Sequence, residues 1–96
     1  MARIVVFGPE GPQTHQLDQA VVTLGRSKAS MIVLEDGAAS RKHCVVRREE
    51  GGEAFRLVDL GSANGTYVNG LKIKEHELEA EDRIKIGKTV LVFKER

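Results

Sequence analysis

Three short stretches of the chain carry groups able to hold an anion: Gly25-Arg26, Ser40-Arg41-Lys42-His43 and Gly61-Ser62-Ala63-Asn64-Gly65-Thr66. Glycine-rich loops expose successive backbone N–H groups, and with serine and asparagine side chains beside them they form a concavity suited to negative charge. Arg26 and Arg41 add positive charge. A guanidinium can hold a phosphate through two parallel, charge-assisted hydrogen bonds, which a lysine cannot do.

Other chemistries fit these residues poorly. Ser40 and His43 could be read as nucleophile and base with Asp59 as a speculative third member, but no nucleophile elbow surrounds Ser40. The histidines His15, His43 and His76 lack partners at zinc-ligand spacing, so no metal site is expected. The glycine-rich stretch 61–70 lacks the Gly-Lys-Ser/Thr ending of a nucleotide-binding loop. No enzyme activity and no cofactor are expected.

The elements that must position these groups read as short strands divided by turns. Residues 3–7, 14–17, 20–24, 31–34, 42–49 and 54–60 are strand candidates, and 83–94 reads as a closing hairpin turning at Gly87-Lys88. The segment Gly8-Pro9-Glu10-Gly11-Pro12 reads as a turn or loop. Residues 74–82 are good helix formers with one strong hydrophobe, Leu78, so they lack an apolar stripe and read as a loop around a very short edge strand. The expected fold is an all-β sandwich of two antiparallel sheets with about 9 to 11 short strands. If 42–49 and 54–60 are the arms of one hairpin, Ser40-Arg41 and Gly61-Ser62-Ala63-Asn64 must meet at the same end.

Composition narrows the function classes. At 96 residues the chain is expected to be one domain, residues 1–96, either by itself or excised from a larger protein. Fifteen Lys and Arg against 14 Asp and Glu give a net charge of +1, without the basic stripe of a nucleic-acid binder. The single cysteine, Cys44, lies in an apolar run and is expected to be a buried structural thiol. The apolar start is too short for a signal peptide, and no run approaches the roughly 18 residues of a membrane span. A cytoplasmic location, no membrane partner and a monomeric state follow as expectations.

Taken together and in order, Gly25-Arg26, Ser40-Arg41-Lys42-His43 and Leu60-Gly61-Ser62-Ala63-Asn64-Gly65-Thr66-Tyr67-Val68-Asn69-Gly70 closely resemble the signature of the forkhead-associated domain. The intervals between the blocks and the order of strands also fit, across essentially the whole chain. The resemblance implies a non-enzymatic module that binds phosphothreonine in a partner, in another molecule or in the same polypeptide, after a Ser/Thr kinase has acted. It implies that Arg26 reaches the phosphate and the peptide backbone. Ser40 would donate its hydroxyl to the phosphate, Arg41 its backbone N–H, and Asn64 would bond the peptide main chain. Gly25, His43, Gly65, Thr66, Asn69 and Gly70 match residues that shape the loops. A small apolar dent taking the threonine methyl would favour phosphothreonine over phosphoserine by roughly tenfold.

The sequence departs from the family pattern at Met31, where an aspartate is common, and at Ala38 and Ala39, where relatives place larger or basic residues. Ala63 stands where a hydroxyl residue is frequent. These departures predict weak reading of the sequence flanking the phosphothreonine. The alternative function is a phosphate-independent interaction or assembly domain of the same fold.

Overall fold

The computed structural model describes residues 2–95. Eleven strands follow in chain order: β1 (Arg3–Gly8), β2 (Gly11–Gln16), β3 (Val21–Gly25), β4 (Ile32–Val33), β5 (Cys44–Arg48), β6 (Phe55–Asp59), β7 (Thr66–Val68), β8 (Leu71–Ile73), β9 (Glu75–Glu77), β10 (Arg83–Ile86) and β11 (Thr89–Lys94). They form a six-stranded sheet in the order β2-β1-β11-β10-β7-β8 and a five-stranded sheet in the order β4-β3-β5-β6-β9. This is the all-β sandwich expected from the sequence.

Alternation drives the assembly. In β10, Ile84 and Ile86 point inward while Arg83 and Lys85 point to solvent. Ile4, Leu24, Val46, Leu57, Ile84, Leu91 and Phe93 from both sheets fill one core. Burying each such side chain contributes about 1.5–3 kcal/mol, which is how so small a domain meets its conformational entropy cost. The Phe55 and Phe93 rings meet at 5.9 Å and bridge the sheets, with the Arg48 guanidinium 5.3 Å from the Phe55 ring centre.

Two sequence expectations are corrected. Pro12 does not lie in a loop; it sits in β2 opposite Phe7, and the turn is only Pro9-Glu10. Proline is tolerated there because β2 is an edge strand with one unpaired side. The second correction concerns direction: β4 pairs with β3 in parallel, Leu24 opposite Ile32. The excursion of residues 26–31 reverses the chain twice and delivers a two-residue strand back alongside its predecessor. Elsewhere β9 is the short edge strand expected near 74–82, its Glu75 and Glu77 discouraging further strand pairing.

The β5–β6 hairpin has Cys44 opposite Asp59 and Arg48 opposite Phe55. Its open end therefore carries residues 43 and 60 together, and Leu60 N–H donates to the His43 carbonyl at 3.0 Å. At this same end lie the β3–β4, β4–β5 and β6–β7 loops and the β10–β11 turn, which together form the apex of the sandwich.

Candidate functional site

Backbone hydrogen bonds seat the β3–β4 loop on the β4–β5 loop. Arg26 N–H donates to the Ser40 carbonyl at 3.0 Å, and Ser27 N–H to the Arg41 carbonyl at 3.2 Å. Gly25 makes this approach possible, since a β-carbon there would stand 2.0 Å from the Arg41 carbonyl oxygen. The Arg26 Nε donates to the Ala39 carbonyl at 3.1 Å, which holds the exposed guanidinium at the apex.

His43 joins the second loop to the third. It is completely buried, and its Nδ1 accepts the Ser40 backbone N–H at 3.0 Å. That bond leaves the ring proton on Nε2, which donates to the Gly65 carbonyl at 3.0 Å. Both ring nitrogens are thereby used by backbone groups. The Ser40 hydroxyl is not a partner of the imidazole, and the Asp59 carboxylate lies 3.9 Å from Nε2, so the nucleophile–base–acid arrangement is not formed.

The Ser40 Oγ instead accepts the Ala63 backbone N–H at 3.0 Å. With a lone pair so engaged, its hydrogen is available to an acceptor above the loops. Asn64 reaches across the same gap and donates Nδ2–H to the Ala38 carbonyl at 2.9 Å, leaving its carbonyl oxygen and second amide hydrogen free of that bond. Arg26, Ser40, Arg41 and Asn64 thus share one rim. Among the described residues Arg26, Arg41 and Lys42 enter no ion pair, while Arg47, Arg56 and Lys94 elsewhere do.

Beneath the rim, Asp59 organises the β6–β7 loop. Its carboxylate accepts Gly61 N–H and Ser62 N–H at 3.0 Å each, and the Ser62 and Thr66 hydroxyls at 2.6 Å each. Burial by itself would raise this carboxyl, but the hydrogen bonds from Ser62, Thr66 and Gly61 outweigh it and hold the group below its ordinary range. Ser62 Oγ in turn accepts Gly65 N–H at 3.0 Å, and Gly65 takes a φ of 86° that L side chains rarely adopt. Thr66, wholly buried, is part of this scaffold. Asn69 and Gly70 lie at the opposite end, turning β7 into β8 with φ values of 50° and 86° and tying that turn to Asp82 and Arg83.

Two organisers of the site were missed in the sequence. Asp59 followed by Gly61 and Ser62 carries an Asx-turn signal that could have identified it. Asp36 accepts Ala38 N–H at 2.9 Å, and Lys88 N–H and the Thr89 hydroxyl at 2.8 Å each. It fixes the β4–β5 loop to the β10–β11 turn, and partners 52 and 53 residues away leave no local trace.

The FHA domain family profile matches residues 22–87. The chain is 41% identical over 90 residues to an oxoglutarate dehydrogenase inhibitor of Corynebacterium diphtheriae, covering 94% of this chain and 62% of that one. It is 43% identical over 90 residues to the glycogen accumulation regulator GarA of Mycolicibacterium smegmatis, covering 94% and 56%. A domain solved in a study of phosphothreonine-dependent FHA interactions superposes with a TM-score of 0.86 at 28% identity, covering 98% of this chain and 97% of that one. This chain belongs to the FHA domain family, whose members are non-catalytic, phosphothreonine-binding interaction modules. It spans about three-fifths of the length of these curated relatives.

Proposed function

We propose that the apex binds one phosphothreonine of a partner protein, in trans or in cis, and so makes an interaction conditional on a Ser/Thr kinase. The observation that carries this is the Ser40–Ala63 bond at 3.0 Å, which leaves the Ser40 hydroxyl hydrogen available on loops that also carry Arg26 and Arg41, neither of which enters an ion pair among the described residues. Ser40 and the Arg41 backbone N–H donate to phosphate oxygens. The Arg26 terminal nitrogens add a second, charged contact, and Asn64 holds the peptide main chain through its free amide groups. Charge-assisted hydrogen bonds of about 1.5–3 kcal/mol each, less the cost of ordering a peptide, support affinity in the micromolar range.

The relatives' names, an inhibitor of oxoglutarate dehydrogenase and a regulator of glycogen accumulation, support a role for the whole protein in controlling metabolic enzymes. The test is calorimetric titration with a phosphothreonine peptide library and its phosphoserine and unphosphorylated counterparts. Micromolar binding of phosphothreonine alone, lost in Arg26→Ala, is the expected result. Equal binding of all three forms, or binding unchanged in the folded variant, would instead make this a phosphate-independent interaction domain.

A further inference from the structure

Outside the apex, the solvent face of the six-stranded sheet carries a groove of about 650 Å³ that starts at Asn64 and runs between β7 and β11. Strand register builds it. Tyr67 stands opposite Lys85, and Lys85 opposite Val90, in one row across three strands. Arg83 lies two residues from Lys85, on the same face of β10. The inward neighbours Val68, Ile84, Ile86 and Leu91 are core residues, so the outward set cannot turn away from solvent without breaking the sandwich.

The groove is physically continuous with the phosphate rim. Asn64 belongs to both, and the Tyr67 ring packs beside the loop that carries it: a β-carbon on Gly65 would stand 3.4 Å from Tyr67 Cε1. Its lining contains two cations and no carboxylate. Among the described residues neither Arg83 nor Lys85 enters an ion pair, whereas the outer face of the opposite sheet neutralises Arg47 and Arg56 with Glu49, Glu75 and Glu77. A net charge of +1 for the chain therefore conceals an uncompensated positive strip leading away from Asn64. Near Ser40 and Asn64 in the chain stand Ala38 and Ala63, whose side chains are too short to read a peptide's flank.

We propose that this groove is a second subsite for the same phosphopeptide, selecting Asp or Glu near the phosphothreonine; this rests on the phosphothreonine reading of the apex. The peptide carboxylate faces Lys85 and Arg83 while its stem lies on Tyr67 and Val90. Tyr67 is three residues beyond Asn64, at most about 10 Å of chain, so the acidic residue falls within roughly five residues of the phosphothreonine.

Fluorescence anisotropy at about 150 mM salt tests this with two phosphothreonine peptide sets, one carrying Glu at successive flanking positions and one carrying Gln there. The wild-type domain should favour at least one Glu position by roughly fivefold, a size typical of a partly screened charge contact. The double variant Arg83→Gln, Lys85→Gln should lose that preference and keep its affinity for the Gln set. The control Arg48→Gln removes a cation outside the groove and should retain the preference. Equal binding of both sets by wild type, a preference that survives in the double variant, or one that Arg48→Gln abolishes equally, would each overturn the subsite. If wild type does not distinguish phosphorylated from unphosphorylated peptide, the apex reading fails first and the subsite with it.

Discussion

The Ser40 side chain and the Ala63 backbone, 23 residues apart, are joined by a 3.0 Å hydrogen bond that closes the space between the β4–β5 and β6–β7 loops. The bond orients the hydroxyl as well as locating it. An oxygen that accepts from one side presents its hydrogen to the other, so the geometry of the rim is set before any ligand arrives.

Ser40→Ala should therefore act twice. Loss of a charge-assisted donor of about 1.5–3 kcal/mol predicts a fall of roughly tenfold or more in phosphothreonine affinity, read by calorimetry. The Ala63 amide should also exchange its hydrogen faster, because its acceptor is gone. An unchanged exchange rate would contradict the bond described here.

Gly25 and Gly37 differ in what surrounds them. A β-carbon at Gly25 meets the Arg41 carbonyl oxygen at 2.0 Å, whereas one at Gly37 meets nothing within 4 Å. Gly25→Ala should destabilise the domain by about 3 kcal/mol or more and separate the first two loops, while Gly37→Ala should stay within about 1 kcal/mol of wild type. Urea unfolding midpoints of the two variants provide the comparison.

Acid stability should depend on three hydrogen-bonded carboxylates. Asp36, Asp59 and Asp82 are each raised by burial but lowered further by the hydrogen bonds they accept, so all three lie below the ordinary value of 3.8. As pH falls, the unfolded chain takes up these protons first. Stability is consequently present above about pH 4 and lost as pH drops through the native values. Asp59→Asn keeps one accepting oxygen but sets a donor-only NH2 group against the donors that the second carboxylate oxygen served, predicting a loss of about 2 kcal/mol or more at neutral pH. That gap should narrow in urea melts at about pH 3, where wild type has itself begun to lose the contribution.

Cys44 should be chemically silent in the native protein. Burial pushes its thiol up to about 12, the nearby Asp59 carboxylate adds to the rise, and the neighbouring Thr66 hydroxyl only partly opposes them. Iodoacetamide should leave the native domain unmodified for as long as it stays folded and alkylate it rapidly in urea. Rapid native labelling would show that the core opens at the β5–β6 hairpin.

Alternation along residues 83–94 and 54–60, and the turn residues between strands, were enough to define an all-β sandwich, because a period of two must bury one face whatever its neighbours are. The closing hairpin at Gly87 and the meeting of Ser40-Arg41 with Ser62-Ala63-Asn64 were legible for the same reason: a hairpin brings its two ends together by connectivity alone. Tertiary structure alone decided the rest. The parallel placement of β4, the tolerance of Pro12 on an edge, and the reach of Asp36 to Lys88 and Thr89 depend on which strands become neighbours, which local pattern does not encode. His43 gives the sharpest case. The sequence assigns it to the loop framework, but only burial between two loops decides its partners, committing Nδ1 to a backbone N–H and Nε2 to a backbone carbonyl, because a buried polar atom must find a partner and the nearest ones here are main-chain groups.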